Sequence, residues 1–197
     1  MPENDNLIQP HGGYKKLLTY KLGNLIYDAT TAFCSRWLDP KDRTYDQMVQ
    51  AARSGVANII EGSQASATSK KTELKLTNVA RASQEELLAD YQAVLRQHAL
   101  PEWQSQSENI QMIRKSRPES LDQLRQLMAL LVANASETAD KDSLLLEVAC
   151  NTMITLINQE TYLLARQISK LADDFENCGG FTERLYHIRS SKRQNNQ

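Results

Sequence analysis

Hydrophobic residues recur at alternating spacings of three and four over most of this chain, which is the periodicity of one face of an α-helix. The first such stretch is predicted to run from about Tyr14 to Leu38. Asp39-Pro40 ends it, because a proline disfavours a helical conformation in the residue before it. The apolar positions of this helix are Leu18, Leu22, Leu25, Ala29 and Phe33.

Two further helices follow. The second is predicted to open at Thr44, because Gln47 three residues later completes a capping-box pattern, and Gly62 is expected directly after its end. The third is predicted from about Ser69 to His98, with apolar and small residues at alternating steps of four and three, as in a coiled-coil seam.

About 40 residues then separate the third helix from the next long one. Within them, Ser116 precedes Pro118 and Glu119, which is typical of a helix start, and a shorter amphipathic helix is predicted from there to about Ala135. The segment from about 99 to 140 is therefore interpreted as an insert.

The last long helix is predicted to start after Asp140 or Asp142 and to end at Gly179-Gly180. Phe181–Arg189 is expected to add a short basic helix, followed by a polar tail. The apolar face of the long helix is predicted at Leu146, Cys150, Met153, Ile157, Thr161, Leu164, Ile168, Leu171 and Phe175.

These long amphipathic helices predict an all-α fold, because each has an apolar face that must be buried against another. The expected architecture is an up-down four-helix bundle of antiparallel helices, with an inserted short helix and a short C-terminal appendage. The scarcity of Gly and Pro (7 and 5 copies) argues against a β-rich chain. The predicted organisation is a flexible arm (1–13), the bundle (14–178), and a C-terminal suffix with a polar tail (179–197).

Composition limits the function classes. The net charge is −1, with a small basic excess in residues 14–98 and an acidic excess in residues 99–182. The three cysteines Cys34, Cys150 and Cys178 form no CxxC pattern and indicate a reducing compartment. No apolar run is long enough for a membrane span, and the start of the chain is unlike a signal peptide. A cytoplasmic location without membrane contact is expected.

The sequence lacks the motifs of several enzyme classes. It contains no Gly-rich phosphate loop and no nucleophile elbow. Its histidines His11, His98 and His187 do not form the Glu-x-x-His pairs that a di-iron bundle requires. We therefore predict no enzymatic activity, no metal and no cofactor. An enzyme or metalloprotein would require His, Asp or Glu side chains converging in the bundle core.

One segment of the second helix combines small residues with isolated polar ones and is the candidate assembly or bundle motif. Two interpretations remain open: the polar residues bond within the bundle and shape a turn, or the segment is a binding or assembly contact. The motif consists of Ala52, Gly55, Val56, Asn58, Ile59, Glu61 and Gly62.

A set of basic residues is the candidate surface for RNA or DNA, although a solvated face is the commoner meaning of such charges. Lys71 and Lys75 are one turn apart on a predicted helix and share a face. The full set is Lys15, Lys16, Arg53, Lys70, Lys71, Lys75 and Arg81.

The stretch from Tyr14 to Tyr91 resembles a known family. The first helix of that family opens with Tyr-Lys followed by an aromatic residue, and its second helix reads like Q-x-R-R-A-A-x-S-x-x-x-N-I-A-E-G. The matching positions are Tyr14, Lys15, Leu17 and Tyr20, then Gln47, Ala51, Ala52, Ser54, Asn58, Ile59, Glu61 and Gly62, then Ala80, Ser83, Glu86, Leu87 and Tyr91. The paired arginines of the family are reduced here to Arg53.

The family is the four-helix bundle group of proteins encoded by intervening sequences in bacterial large-subunit ribosomal RNA genes. It also includes the accessory variability protein of diversity-generating retroelements. The ending Gly179–Arg184 resembles a subgroup that carries a suffix. The resemblance implies a non-enzymatic bundle that assembles into a ring-like pentamer. It also raises the alternative of an accessory protein that binds nucleic acid and a reverse transcriptase.

The leading hypothesis is thus a non-catalytic, self-associating bundle that acts as a binding or scaffolding module. The alternative is an accessory nucleic-acid-binding protein that uses the basic residues named above.

Overall fold

The computed structural model describes residues 12–135 and 140–194, apart from the side chains of Cys178, Arg184 and His187. The predicted arm therefore lies outside the described residues up to residue 11, as do the last three residues of the tail. Throughout the described ranges the regular structure is helical, which confirms the all-α fold. The elements are a 3₁₀ turn at Gly13–Lys16 and helices α1 (Leu18–Trp37), α2 (Arg43–Ala65), α3 (Lys70–Gln97), α4 (Glu108–Ser116), α5 (Leu121–Ala133), α6 (Lys141–Cys178) and α7 (Phe181–Gln194).

Helices α1, α2, α3 and α6 form the predicted four-helix bundle. Each packs against two of the others, in the cyclic order α1–α2–α3–α6. Side-chain hydrogen bonds show the antiparallel directions, since Thr19 at the start of α1 donates to Gln167 near the end of α6 (3.0 Å). Ser83 of α3 donates to Ser54 of α2 (3.0 Å). The order matches an up-down bundle whose last helix follows the insert.

The core of the bundle is built around Tyr91. This side chain is fully buried, and its hydroxyl donates to Thr30 Oγ1 across the bundle (3.1 Å). Its ring meets that of Phe33 edge-on, with centroids 4.9 Å apart. A buried tyrosine with its hydroxyl paired contributes a large apolar area without an unsatisfied polar group.

Two details of α2 differ from the prediction. Asp42, not Thr44, is the N-cap, because its carboxylate accepts a hydrogen bond from the Thr44 backbone N–H (2.8 Å). Gly62 does not follow the helix but lies inside it, since α2 continues to Ala65. Gly62 is buried against α3, where a Cβ at this position would make ordinary van der Waals contact with the Glu73 carbonyl (3.4 Å).

The insert contains two helices where one was predicted to start at Ser116. Ser116 is instead the last residue of α4, and Ser120 is the N-cap of α5. Between them Arg117 ends α4 in a left-handed conformation (φ +44°), which is common at the end of a helix, and Pro118 disfavours continuation of the helix.

The insert packs on the bundle. The Trp103 backbone N–H donates to Asn151 Oδ1 of α6 (2.7 Å), and its indole N–H donates to Glu147 (2.6 Å). Asn151 in turn donates to the Pro101 carbonyl (3.0 Å). The helices α4 and α5 also contact α6, so the insert forms a second layer over one end of the bundle.

Helix α6 begins after the predicted cap Asp140, whose carboxylate accepts from the Ser143 N–H (3.0 Å). It ends at Gly179 in a conformation with positive φ (+67°), which glycine adopts without strain. The following α7 extends to Gln194 and thus includes residues assigned from sequence to the polar tail. Within the described ranges no helix is both long and apolar enough to cross a bilayer.

Candidate functional site

Five residues of the candidate motif lie inside the chain's own bundle. Neighbouring helices already cover them, so they are placed for packing within one chain and are inaccessible to a second copy unless the bundle opens. These residues are Ala52, Gly55, Val56, Ile59 and Gly62.

The two polar residues of the motif are placed differently. Asn58 is half-buried, and its amide donates to the Ser54 carbonyl (2.8 Å) and to Ser54 Oγ (3.2 Å). The Asn58 amide is therefore satisfied by its own helix. Glu61 is exposed on the outer face of α2, and it does not shape a turn because the helix continues past it.

Gly55 makes room for a glutamine from α3. A Cβ at position 55 would collide with Gln84 Nε2, so the absence of a side chain lets the amide lie against the α2 backbone. Gln84 is fully buried, and neither its amide nitrogen nor its oxygen has a hydrogen-bond partner among the described residues. Burying an unpaired amide costs free energy, and the site must be stabilised by the packing around it.

Gly23 of α1 likewise leaves space for a glutamate side chain from α6. A Cβ at Gly23 would lie 2.6 Å from Glu160 Oε1 and 3.3 Å from a methyl group of Val56. Glu160 is fully buried, with both carboxyl oxygens unpartnered among the described residues. Burial raises the pKa of this carboxyl well above its ordinary value, so the neutral acid is the favoured form.

These two pairs lie at one level of the bundle. Gln84 is seven residues before Tyr91 on α3, and Gly23 is seven residues before Thr30 on α1. Seven residues are about two helical turns. Since Tyr91 and Thr30 are hydrogen-bonded to each other, Gln84 and Gly23 are level on these parallel helices. We call Gly23, Gly55, Gln84 and Glu160 the polar layer.

The polar layer has limited chemistry. A neutral carboxyl group and an amide are weak acids and bases, and no serine, cysteine or histidine among the described residues is hydrogen-bonded to either. Among the described residues no three His, Cys, Asp or Glu side chains converge in a way that would hold a metal ion. Buried polar groups of this kind are best attested as devices that fix helix register and partner choice.

Two of the three cysteines are buried thiols. Burial raises the pKa of Cys34 to about 12, with a further contribution from the Asp90 carboxylate. Burial alone raises the pKa of Cys150 to about 12. Since the thiolate is the reactive form, both behave as small apolar groups at neutral pH.

The candidate basic residues do not form a single patch. Lys70 pairs with Glu73 (3.0 Å) and Arg81 pairs with Glu85 (2.9 Å). Arg53 is exposed in the middle of α2, away from the helix ends. The remaining four, Lys15, Lys16, Lys71 and Lys75, are exposed at the end of the bundle where α1 and α3 begin.

The same end of the bundle leaves apolar side chains incompletely covered, and we call it the open end. Among the α6 side chains that the structure describes, the last buried apolar one is Leu164, and the predicted stripe beyond it is only half-buried. Leu18, at the start of α1, is exposed at the same end. The open end consists of the half-buried Ile168, Leu171 and Phe175 and the exposed Leu18.

Comparisons of the chain with protein-family models, with curated proteins and with solved structures find no match. The family resemblance drawn from the motifs therefore stays a prediction.

The buried acid was missed in the sequence pattern. Thr161 was predicted to face the core, but it is half-buried, and Glu160 is the buried residue. The alternating steps of three and four through Met153, Ile157 and Leu164 place position 160 in the seam, which is the signal that identifies it. Because glutamate is charged and usually exposed, position 160 was not predicted to be buried.

Proposed function

We propose that this protein is a non-catalytic helical bundle that associates with copies of itself and acts as a binding or scaffolding module. The observation that supports this proposal is the open end. There the apolar stripe of α6 continues for three turns beyond Leu164 without full cover. An incompletely covered apolar surface on a helix marks an interaction site when its members are contiguous.

The length of α6 explains why this surface is uncovered. Thr19 in the first turn of α1 is level with Gln167, so α6 extends eleven residues past the start of α1, to Cys178. At 1.5 Å per residue this is about 16 Å of helix beyond the first turn of α1. A second copy that packs on this segment would bury Ile168, Leu171 and Phe175.

The test is the native mass by light scattering after size exclusion. The wild-type chain is expected to exceed the monomer mass of 22.3 kDa, and the family resemblance sets the expectation at a pentamer. Leu171→Glu is expected to give a monomer with unchanged helical content, because it places a charge in the interface but not in the core. A wild-type monomer at all concentrations would contradict the proposal.

A matched control distinguishes the open end from exposed apolar surface in general. Leu130 on α5 is 59% exposed and lies on the insert, away from α6 beyond Leu164. Leu130→Glu is expected to leave the mass unchanged. If Leu130→Glu dissociates the assembly and Leu171→Glu does not, association occurs through the insert and the assigned surface is wrong.

A second candidate function is nucleic-acid binding, favoured by the four exposed lysines at the open end. Acidic residues Asp173, Asp174 and Glu176 on the last turns of α6 are exposed at the same end and weaken the positive potential. Binding of a labelled RNA or DNA oligonucleotide is expected to fall steeply with salt. Lys71→Glu with Lys75→Glu should abolish it, whereas Lys41→Glu at the opposite end should not. No binding at low salt would exclude this candidate.

A further inference from the structure

A pocket of about 270 Å³ opens between α1, α5 and α6, at the end of the bundle opposite the open end. Its walls are apolar. Phe33, Leu124 and Met153 are buried and form its floor, and Met128 and Trp37 are half-buried nearer the surface. Such a concave apolar site with a few polar groups at its mouth is the usual form of a small-molecule site.

The charged residues that line the pocket are two arginines, and both are exposed at its mouth. The Arg36 guanidinium lies over the Trp37 ring, 4.9 Å from its centroid, which restricts it to the rim. Arg125 pairs with Asp122 (3.2 Å), but both side chains are mostly exposed, so this pair holds Arg125 weakly. No acidic side chain is among the described residues that line the pocket.

The arrangement selects the charge of a ligand. The apolar chain of a ligand would transfer from water to the floor formed by Phe33 and Met153. A carboxylate at the mouth would accept hydrogen bonds from Arg36 and Arg125. A cation would meet the Arg36 guanidinium there, and the charge of Arg125 is partly offset by Asp122. The pocket is therefore complementary to an amphiphilic anion.

The volume sets the size of that anion. A protein cavity of about 150 Å³ holds benzene, so a volume of 270 Å³ holds roughly eleven non-hydrogen atoms. We propose that this pocket binds a monocarboxylate with a medium-length apolar chain, and that Arg36 and Arg125 recognise the carboxylate. The site is separate from the surface assigned to self-association.

The experiment is calorimetric titration of the full chain with sodium octanoate and, in parallel, with octan-1-ol. Octanoate is expected to bind saturably and more tightly than the alcohol, which fits the floor but offers no charge to the arginines. Trp37 reports the location: in a Trp103→Phe background it is the single tryptophan, and its emission should change on binding.

Three variants locate the site and test the recognition. Arg36→Gln with Arg125→Gln should weaken octanoate binding about tenfold and leave the alcohol unaffected. Ala32→Phe should block both ligands, because Ala32 is an exposed residue of the lining whose enlargement fills the pocket without altering the core. Arg166→Gln is the matched control, since Arg166 also lies over an aromatic ring, that of Tyr162, but at the opposite end of the bundle.

Each other outcome overturns the proposal. Absence of saturable octanoate binding shows that the pocket takes no such ligand. Equal affinities for acid and alcohol, or an unchanged affinity in the double arginine variant, remove the recognition of the carboxylate. Binding that survives Ala32→Phe places the ligand elsewhere.

Discussion

Replacing Glu160 by glutamine tests the most unusual feature of the core, a fully buried carboxyl group without a partner among the described residues. Glutamine has nearly the same shape and never ionises. The substitution therefore keeps the packing against Gly23 and removes only the ability to become charged.

The sign and size of the effect follow from linkage. Burial raises the folded-state pKa of this carboxyl above the unfolded value, which is about 4.5. The wild-type protein is therefore most stable, relative to the glutamine variant, below the unfolded pKa. It loses that stability as the pH rises toward the folded pKa, by about 1.4 kcal/mol per pH unit.

The assay is urea unfolding followed by far-ultraviolet circular dichroism at several pH values for both proteins. In the difference between the two unfolding free energies, the contributions of titratable groups present in both proteins cancel. One such group is Asp90, whose pKa is also raised by burial. The difference should grow with pH in favour of Glu160→Gln. Glu61→Gln, at an exposed position of α2, is the control and should show no such trend.

A difference between wild type and Glu160→Gln that is constant from pH 5.5 to 7.5 would refute the reasoning. It would mean that the carboxyl ionises in the folded state without penalty, through water or a partner that reaches the polar layer.

Two further predictions concern the same core. Gly55→Ala should destabilise the fold by about 0–2 kcal/mol, because the collision of its Cβ with Gln84 is partly offset by the better helix propensity of alanine. A double variant with Gln84→Ala should be more stable than Gly55→Ala and Gln84→Ala would predict additively, as urea unfolding would show; additive effects would contradict the contact. In a Cys178→Ser variant, Cys34 and Cys150 should not react with a thiol reagent at pH 8 until the protein is unfolded. The reason is that burial raises both pKa values to about 12. Rapid labelling of the native protein would show that the core opens.

The long helices were predictable because apolar and polar residues occupy opposite faces over many turns, and such a helix is stable only when its apolar face is buried. Short elements gave a weaker signal. Helix α4 was missed because its nine residues bury only Ile110 and Ile113. The end of α2 was misplaced because Gly62 was interpreted as a terminator, whereas it is buried within a helix that continues to Ala65.

The candidate sites were less predictable than the fold. Glu160 was not among the predicted buried positions of α6, although the spacing of Met153, Ile157 and Leu164 places it on the buried face. The pocket beside Trp37 requires α5 to lie over α1 and α6, a long-range arrangement that no periodicity encodes. The open end likewise arises from a difference in length between α1 and α6, not from a motif.

The most direct test of self-association through the open end is hydrogen–deuterium exchange of the wild-type chain at high and low protein concentration. Backbone amides of residues 165–178 are expected to be protected at high concentration and to lose that protection on dilution, while residues 146–164 should exchange equally slowly in both. Equal exchange of residues 165–178 at the two concentrations, across a range in which the mass changes, would contradict the assignment of this surface.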